Sequence, residues 1–133
     1  MLDRDIIQNR GVRNVVVDGR TVGFQFRIRM PNYRGLWGSL IEGVEVRVGD
    51  LAWDRRTPRW TLQGRDYTLA ELSQSTDVRW QLDEAATITV PHPGGLPPGV
   101  HRIAVDIALQ APYIPAEFQP SVFHAEREVT VVR

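Results

Sequence analysis

The residue types best suited to acid–base or metal chemistry are scattered through this sequence. Its three histidines, His92, His101 and His124, do not stand at metal-ligand spacing from one another, and the chain contains no cysteine. A zinc or manganese site made by this chain alone is therefore disfavoured. His92 and His101 flank a turn rich in proline and glycine, where an imidazole could order a loop or reach a neighbouring subunit.

Carboxylates and serines likewise fail to form a recognisable catalytic set. Glu126 and Glu128 would share one face of a strand, and paired carboxylates can act as acid and base. In a chain with 24% charged residues, such a pair is more typical of a solvated sheet face. Gly38-Ser39 lacks the glycine pattern and the strand–turn–helix context of a nucleophile elbow.

The more distinctive residues are aromatic and arginine side chains outside the alternating segments. Tyr33, Arg34 and Trp37 lie in a loop over residues 30–39, and Tyr113 lies between prolines near the C-terminus. Tyr, Trp and Arg dominate protein–protein hot spots, and loops on a β scaffold often carry function. We therefore expect contact with a partner or ligand, with the sealing of the sandwich ends as the alternative.

Alternation of apolar and polar residues predicts the strands that position these loops. The clearest alternation runs over residues 21–30. Its inward set is Val22, Phe24, Phe26, Ile28 and Met30. Asp18-Gly19 predicts a hairpin turn, because both central positions of a type I′ turn need positive φ. Further strands are predicted over residues 14–17, 44–48, 51–53, 60–62, 78–82, 86–90, 100–110 and 128–132.

The remaining elements define the fold class. Thr68-Leu69-Ala70-Glu71 fits a capping box, which predicts one short helical turn near residues 68–73. Crossover helices are missing, so a parallel sheet is disfavoured. The length of 133 residues suits one domain. The sequence thus predicts an all-β fold, a single antiparallel β-sandwich or jelly-roll-like domain over residues 1–133.

Composition restricts the partners and the compartment. The 16 basic and 16 acidic residues cancel, which gives no electrostatic reason to expect nucleic acid or an anionic membrane. No segment approaches the ~20 apolar residues of a membrane helix, and the N-terminus lacks an apolar run of signal length. The absence of cysteine suits a reducing cytosol. A soluble cytoplasmic protein is predicted.

Five segments, taken in order, resemble the small β subunit of bacterial C-glycoside deglycosidases. The first is FQFRIRMPNYRGLWGSLIEGVEV, in which Tyr33-Arg34-Gly35 matches the family's Tyr-Arg-Gly loop between two strands. The others are residues 67–72, 76–80, 93–99 followed by His101, and 112–115. Their shared order and spacing make the resemblance specific.

The resemblance implies an accessory subunit of a carbon–carbon lyase, inactive by itself. In that family the β subunit pairs with a larger α subunit of sugar-isomerase-like barrel fold, which holds a divalent metal ion, commonly manganese. Together they cleave the bond between a 3-oxo-glucosyl group and an aromatic aglycone. The 3-keto group acidifies the sugar C2 proton, and the enolate formed by its removal expels the aglycone.

Under this interpretation no metal or cofactor belongs to this chain, and the catalytic residues lie in the partner. The residues expected to face the partner or the substrate are Tyr33, Arg34, Gly35, Trp37, His92 and Tyr113. Two other functions stay open. One is a free-standing β-sandwich that binds sugar on its exposed aromatics, and the other is a structural interaction module that forms homo-oligomers through an edge strand.

Overall fold

A computed structural model describes residues 6–32, 34–110 and 115–132 of the chain. Most of the regular secondary structure in these residues is β-strand. The strands are β1 (Arg13–Val17), β2 (Arg20–Arg29), β3 (Leu36–Trp37), β4 (Ile41–Val48), β5 (Leu51–Trp53), β6 (Arg59–Leu62), β7 (Arg65–Tyr67), β8 (Arg79–Trp80), β9 (Ala85–Pro91), β10 (Gly99–Leu109) and β11 (Ser121–Val131). A short helix, α1 (Leu69–Ser73), lies between β7 and β8. No helix of the described residues is long and apolar enough to cross a membrane.

The strands form two larger antiparallel sheets and one small ribbon. The five-stranded sheet has the order β1-β2-β9-β6-β7, the four-stranded sheet has the order β11-β10-β4-β5, and β3 pairs with β8. The chain crosses from one sheet to the other after β2, after β5 and after β9. The predicted all-β, antiparallel sandwich is confirmed.

One apolar cluster fills the space between the two sheets. Phe24, Phe26 and Trp60 enter it from the five-stranded sheet, and Val46 and Val105 enter it from the four-stranded sheet, all of them fully buried. Full burial of such a side chain typically stabilises a fold by roughly 1.5–3 kcal/mol. Packing between the sheets therefore holds the ends of the sandwich in place.

The alternation of β2 is confirmed except at its start. Phe24 and Ile28 are fully buried, but Val22 is 41% exposed, so its predicted inward position was wrong. Val16 and Val17, which flank the neighbouring hairpin turn, are exposed as well. The hairpin therefore extends beyond the area that the opposite sheet covers.

Two hairpin turns have the same left-handed backbone. Asp18 and Gly19 have φ values of 52° and 77°, which confirms the turn predicted between β1 and β2. Gln63 and Gly64 have φ values of 55° and 78° and connect β6 to β7. The second hairpin was not predicted, because Gln is not among the residues that favour this turn.

The predicted capping box begins helix α1. The Thr68 hydroxyl accepts a hydrogen bond of 3.1 Å from the Glu71 amide, and the Glu71 carboxylate accepts one of 2.8 Å from the Thr68 amide. Leu72 is fully buried and fixes the helix to the core. The short helix is confirmed at the predicted place.

Two strands have bounds that differ from the prediction. The last strand starts at Ser121 rather than at residue 128, because it pairs with β10 along its whole length. Its inward positions include the small Ala125 and the half-buried Phe123, which weakens the alternation in the sequence. The strand predicted over residues 78–82 is shorter, with only Arg79–Trp80 paired.

Candidate functional site

Three connections meet at one end of the sandwich, which we call the loop end. Their described residues are 30–32 and 34–40 between β2 and β4, 74–84 between α1 and β9, and 110 and 115–120 between β10 and β11. In the strand register, the last residue of β2 lies opposite the first of β9, and the last residue of β10 lies opposite the first of β4. The antiparallel pairing therefore brings these connections together.

Part of the first connection is itself a strand. Leu36 pairs with Trp80 across the β3–β8 ribbon, and the Gly38 amide donates a hydrogen bond of 2.7 Å to the Val78 carbonyl. Leu36 is buried, whereas Trp37, the next residue, is exposed. Residues 30–39 were predicted as a loop outside the sheet formed by the strands on either side, and β3 indeed joins neither of the two larger sheets. The β3–β8 ribbon, which was not predicted, fixes the second half of this loop.

Trp37 and Arg79 form an exposed aromatic contact at the loop end. The Arg79 guanidinium carbon lies 5.2 Å from the centroid of the Trp37 ring, and the indole is 47% exposed. Arg79 also donates a hydrogen bond of 3.4 Å to the Gly35 carbonyl. A cation over an exposed indole is worth about 0.5–1 kcal/mol. The ring is thus held in place while much of its surface faces solvent.

Sequence reasoning did not identify Arg79 as a site residue. It stands on β8, far along the chain from Trp37, and only the register of the ribbon places the two side by side. Its position within the resembling segment 76–80 was the one available signal. The structure therefore adds a cation to the predicted set of Arg34, Gly35 and Trp37.

Buried side chains pack beneath the β3–β8 ribbon and hold it in place. The fully buried Trp80 packs edge to face on Trp60, with ring centroids 5.4 Å apart, and its indole donates a hydrogen bond of 2.9 Å to the Glu84 carbonyl. A Cβ at Gly35 would lie 2.8 Å from the Trp80 carbonyl oxygen. Gly35 is thus required by the close approach of the loop to β8.

The first half of the loop is anchored by a buried amide. Asn32 is 6% exposed, and its side chain donates a hydrogen bond of 3.3 Å to the Arg34 carbonyl. Arg34 itself is exposed next to this anchor. Tyr33 and Tyr113, which were also predicted to face a partner or substrate, lie outside the described residues.

His92 lies at the opposite end of the sandwich, which we call the turn end. This end comprises the Asp18-Gly19 turn and the turn over residues 91–99. Pro91 pairs with Gly23, six positions along β2 from Arg29, so the two ends are about 20 Å apart. The His92 ring packs edge to face on Trp53, with centroids 5.5 Å apart. The structure therefore separates His92 from the other described candidates.

A charged network covers the outer face of the four-stranded sheet. His124 lies between Glu126 and Asp106, with ring nitrogen to carboxylate distances of 2.8 and 2.7 Å. Hydrogen bonds that His124 donates to these two carboxylates raise the pKa of His124, and the hydrogen bond from His124 lowers the pKa of Glu126. Arg102 pairs with Glu126 at 2.8 Å. Glu126 and Glu128 share this exposed face, as the solvated-face interpretation predicted.

This network is not arranged as a metal site. Throughout residues 6–32, 34–110 and 115–132, no group of three or more His, Asp or Glu side chains is placed to hold a metal ion. Both ring nitrogens of His124 are engaged by carboxylates.

Comparison with known proteins agrees with the resemblance seen in the sequence. A family described as C-glycoside deglycosidase beta subunit matches residues 2–113. A C-glycoside deglycosidase beta subunit from Eubacterium cellulosolvens is 29% identical over 89% of this chain and 81% of its own. A protein of the same description from Arthrobacter globiformis is 32% identical over 85% and 82%.

A third relative is described with a named substrate. The 3'-dehydrocarminate deglycosidase beta subunit from a Microbacterium species is 34% identical over 74% of this chain and 74% of its own. The family match covers most of the sandwich, including β3, β8 and the loop that carries Trp37. This chain therefore belongs to the C-glycoside deglycosidase beta subunit family.

Proposed function

We propose that this chain is the β subunit of a heteromeric C-glycoside deglycosidase, inactive alone and required for the assembly and activity of an α subunit. The α subunit would have a sugar-isomerase-like barrel fold and would hold a divalent metal ion, manganese in the first instance. The complex would release an aromatic aglycone from a 3-oxo-C-glucoside by breaking a carbon–carbon bond. The family match over residues 2–113 carries this proposal.

In this proposal the loop end faces the α subunit and the edge of its active site. Trp37 and Arg79 have the residue types of interface hot spots, and the ribbon holds them in a fixed geometry before binding. A preorganised contact loses little conformational entropy when a partner binds. Arg34 extends the same exposed surface, and Leu82 is 52% exposed nearby on the connection that follows β8.

The residues of this chain that the structure describes do not fit a metal ion, so no step of the reaction is assigned to them through one. The expected chemistry begins with removal of the sugar C2 proton, which the neighbouring 3-keto group acidifies. Elimination from the resulting enolate then expels the aglycone. The contribution proposed for this subunit is to position the partner's site and to exclude water from it.

The test is reconstitution. The chain is co-expressed with a candidate barrel protein, supplied with manganese and a 3-oxo-C-glucoside, and aglycone release is measured by chromatography. We expect a stable complex and activity that neither protein shows alone. If the chain neither binds the barrel protein nor changes its activity, the proposed function is wrong.

A second candidate function is a free-standing module that binds sugar on its exposed aromatics. The observation that favours it is the 47% exposed indole of Trp37, because an open aromatic face suits the apolar face of a sugar ring. Titration of the isolated chain with glucosides, followed by tryptophan fluorescence, separates the two candidates. Saturable binding without any partner would favour this second function, and a flat titration would remove it.

A further inference from the structure

A cleft beside the loop end belongs neither to the sandwich core nor to the Trp37 surface. Its volume is 420 Å³, within the range of small-molecule sites. Leu69 and Ala70 supply an apolar wall above the buried Ile41, and Arg55, Arg56 and Glu42 supply charge. The cleft therefore combines an apolar wall, which suits the apolar part of a ligand, with charged side chains that can orient the ligand.

The backbone that carries the two arginines is fixed on both sides. Asp54 accepts hydrogen bonds from the Arg56 amide at 2.9 Å and from the Thr57 hydroxyl at 3.1 Å, which closes a tight turn. The hydrogen bond from the Arg56 amide lowers the pKa of Asp54, which favours the ionised carboxylate that accepts the hydrogen bonds of this turn. On the other side, the Val44 amide donates a hydrogen bond of 3.3 Å to the Arg55 carbonyl.

A glycine allows this segment to approach β4. Gly43 has a φ of 129°, and a Cβ at this position would overlap the Arg55 carbonyl oxygen. Any other residue would push the segment away and widen the cleft. The position of Arg55 relative to the wall is thus set by the main chain before any ligand arrives.

Among the residues that the structure describes, no side chain pairs with the guanidinium group of Arg55 or Arg56. Neither makes an ion pair or a side-chain hydrogen bond with any of the residues that the structure describes. The carboxylate of the cleft, Glu42, is held by the Gln110 side chain at 2.8 Å. Two cations and one anion leave the lining with a net charge of about +1, which suits a monoanion.

We propose that this cleft binds a small monoanionic ligand made of an apolar ring and a carboxylate. Arginine pairs with carboxylate through two parallel hydrogen bonds, which gives both energy and orientation. The ring would lie against Leu69 and Ala70, and the carboxylate would face Arg55 and Arg56. The site needs only this chain, so it does not depend on the proposed function.

The test is titration of the isotopically labelled full chain with 4-hydroxybenzoate, followed by NMR chemical shifts. We expect saturable shifts in residues 54–57 and 69–73 and a dissociation constant of order 1 mM, as for a ligand of this size. The neutral 4-hydroxybenzamide and inorganic phosphate are expected to bind about tenfold more weakly, because one lacks the charge and the other lacks the ring.

Variants separate the site from a general charge effect. Arg55→Gln with Arg56→Gln should weaken binding about tenfold or more, since hydrogen bonds to a charged group are lost. Arg13→Gln with Arg20→Gln removes the same charge from exposed positions in the β1–β2 hairpin and should leave binding unchanged. Glu42→Gln should tighten binding by about two- to threefold, because a nearby like charge is removed.

The opposite results overturn the proposal. Absence of saturable shifts in the wild-type chain would remove the site. Equal binding of the acid and its amide would show that the carboxylate is not recognised, and phosphate binding as tight as that of the benzoate would show that the apolar wall is not used. Equal weakening by the two double variants would assign the effect to net charge.

Discussion

The two ends of the sandwich carry similar residue types, but these residues pack within the fold at the turn end and are exposed at the loop end. At the turn end, the Asn14 side chain donates to the Leu96 carbonyl and accepts from the Leu96 amide, each at 2.9 Å. His92 packs on Trp53 at the same end. At the loop end, Trp37 is braced by Arg79 and remains 47% exposed.

The difference indicates which loop residues stabilise the fold and which can contact a partner. Residues that pack on the core or bond to its backbone stabilise the fold, whereas residues held with an exposed surface can contact a partner. Leu96 is 2% exposed and holds the turn over residues 91–99 on the core, so this turn closes the sandwich. The loop end also has buried anchors in Leu36 and Trp80, yet these anchors present Trp37 to solvent. Function is therefore expected at the loop end and stability at the turn end.

The largest expected effect is that of removing the exposed indole. Trp37→Ala should weaken assembly with the α subunit about 30-fold, since loss of a central aromatic hot spot costs 2 kcal/mol or more. The free energy of unfolding should fall by no more than about 1 kcal/mol, because Trp37 lies outside the core and loses only its contact with Arg79. The measurements are the dissociation constant of the complex and a urea titration of the isolated chain.

A matched control for that variant is Val100→Ala. Val100 is 66% exposed and lies at the start of β10, near the turn end. Its truncation should change neither assembly nor stability. Equal loss of assembly in both variants would contradict the distinction between the ends.

The second effect belongs to the turn end. Asn14→Ala should lower the free energy of unfolding by about 2 kcal/mol, because both hydrogen bonds to the Leu96 main chain are lost. Asn14→Asp keeps the acceptor and loses the donor, so its cost should be intermediate. Assembly of the folded variants should equal that of the wild type. Weak assembly with unchanged stability would place function at the turn end instead.

The third effect is smaller and concerns the contact of Arg79 with the Trp37 indole. Arg79→Gln removes the cation over Trp37 and should weaken assembly about fivefold, which corresponds to about 1 kcal/mol. Arg79→Lys keeps the charge and should restore part of the affinity. Arg20→Gln, at the far end of β2, serves as the charge control. An unchanged affinity of Arg79→Gln for the α subunit would show that Trp37 does not depend on Arg79 for its contribution to assembly.

The smallest effect is a pH dependence of stability on the outer sheet face. Hydrogen bonds to Glu126 and Asp106 raise the pKa of His124 in the folded chain. Its stabilising contribution is therefore fully present below the unfolded value of about 6.5 and is lost as the pH rises through the raised folded value. His124 is 49% exposed, so the contribution should stay below about 1 kcal/mol.

The measurement is the free energy of unfolding between pH 6 and pH 9, compared with that of His124→Gln. The wild type should lose stability over this range relative to the variant. Parallel pH curves for the two proteins would show that the carboxylates do not hold a proton on His124.

The features that could be predicted from the sequence are those that depend on short-range patterns. The Asp18-Gly19 turn, the Thr68–Glu71 capping box and the buried face of β10 follow from positive φ, side-chain reach and period-two alternation. The fold class follows from the same patterns. The resemblance to deglycosidase β subunits, which the comparisons bear out, came from the order of several segments.

Long-range pairing determined what the sequence could not predict. Trp37 was a candidate from its residue type, but its brace, Arg79, became visible only through the β3–β8 register. His92 shares the residue type of a site histidine, yet the register of β2 with β9 places it at the other end. Strand pairing between distant segments depends on packing, which local propensity does not encode.

The loop end is the surface that we expect to meet the α subunit. The most direct measurement is hydrogen–deuterium exchange of this chain, alone and in the reconstituted complex. We predict slower exchange over residues 34–40 and 78–82 in the complex and unchanged exchange over residues 91–99. Slower exchange over residues 91–99 with unchanged exchange at the loop end would show that the turn end meets the α subunit instead.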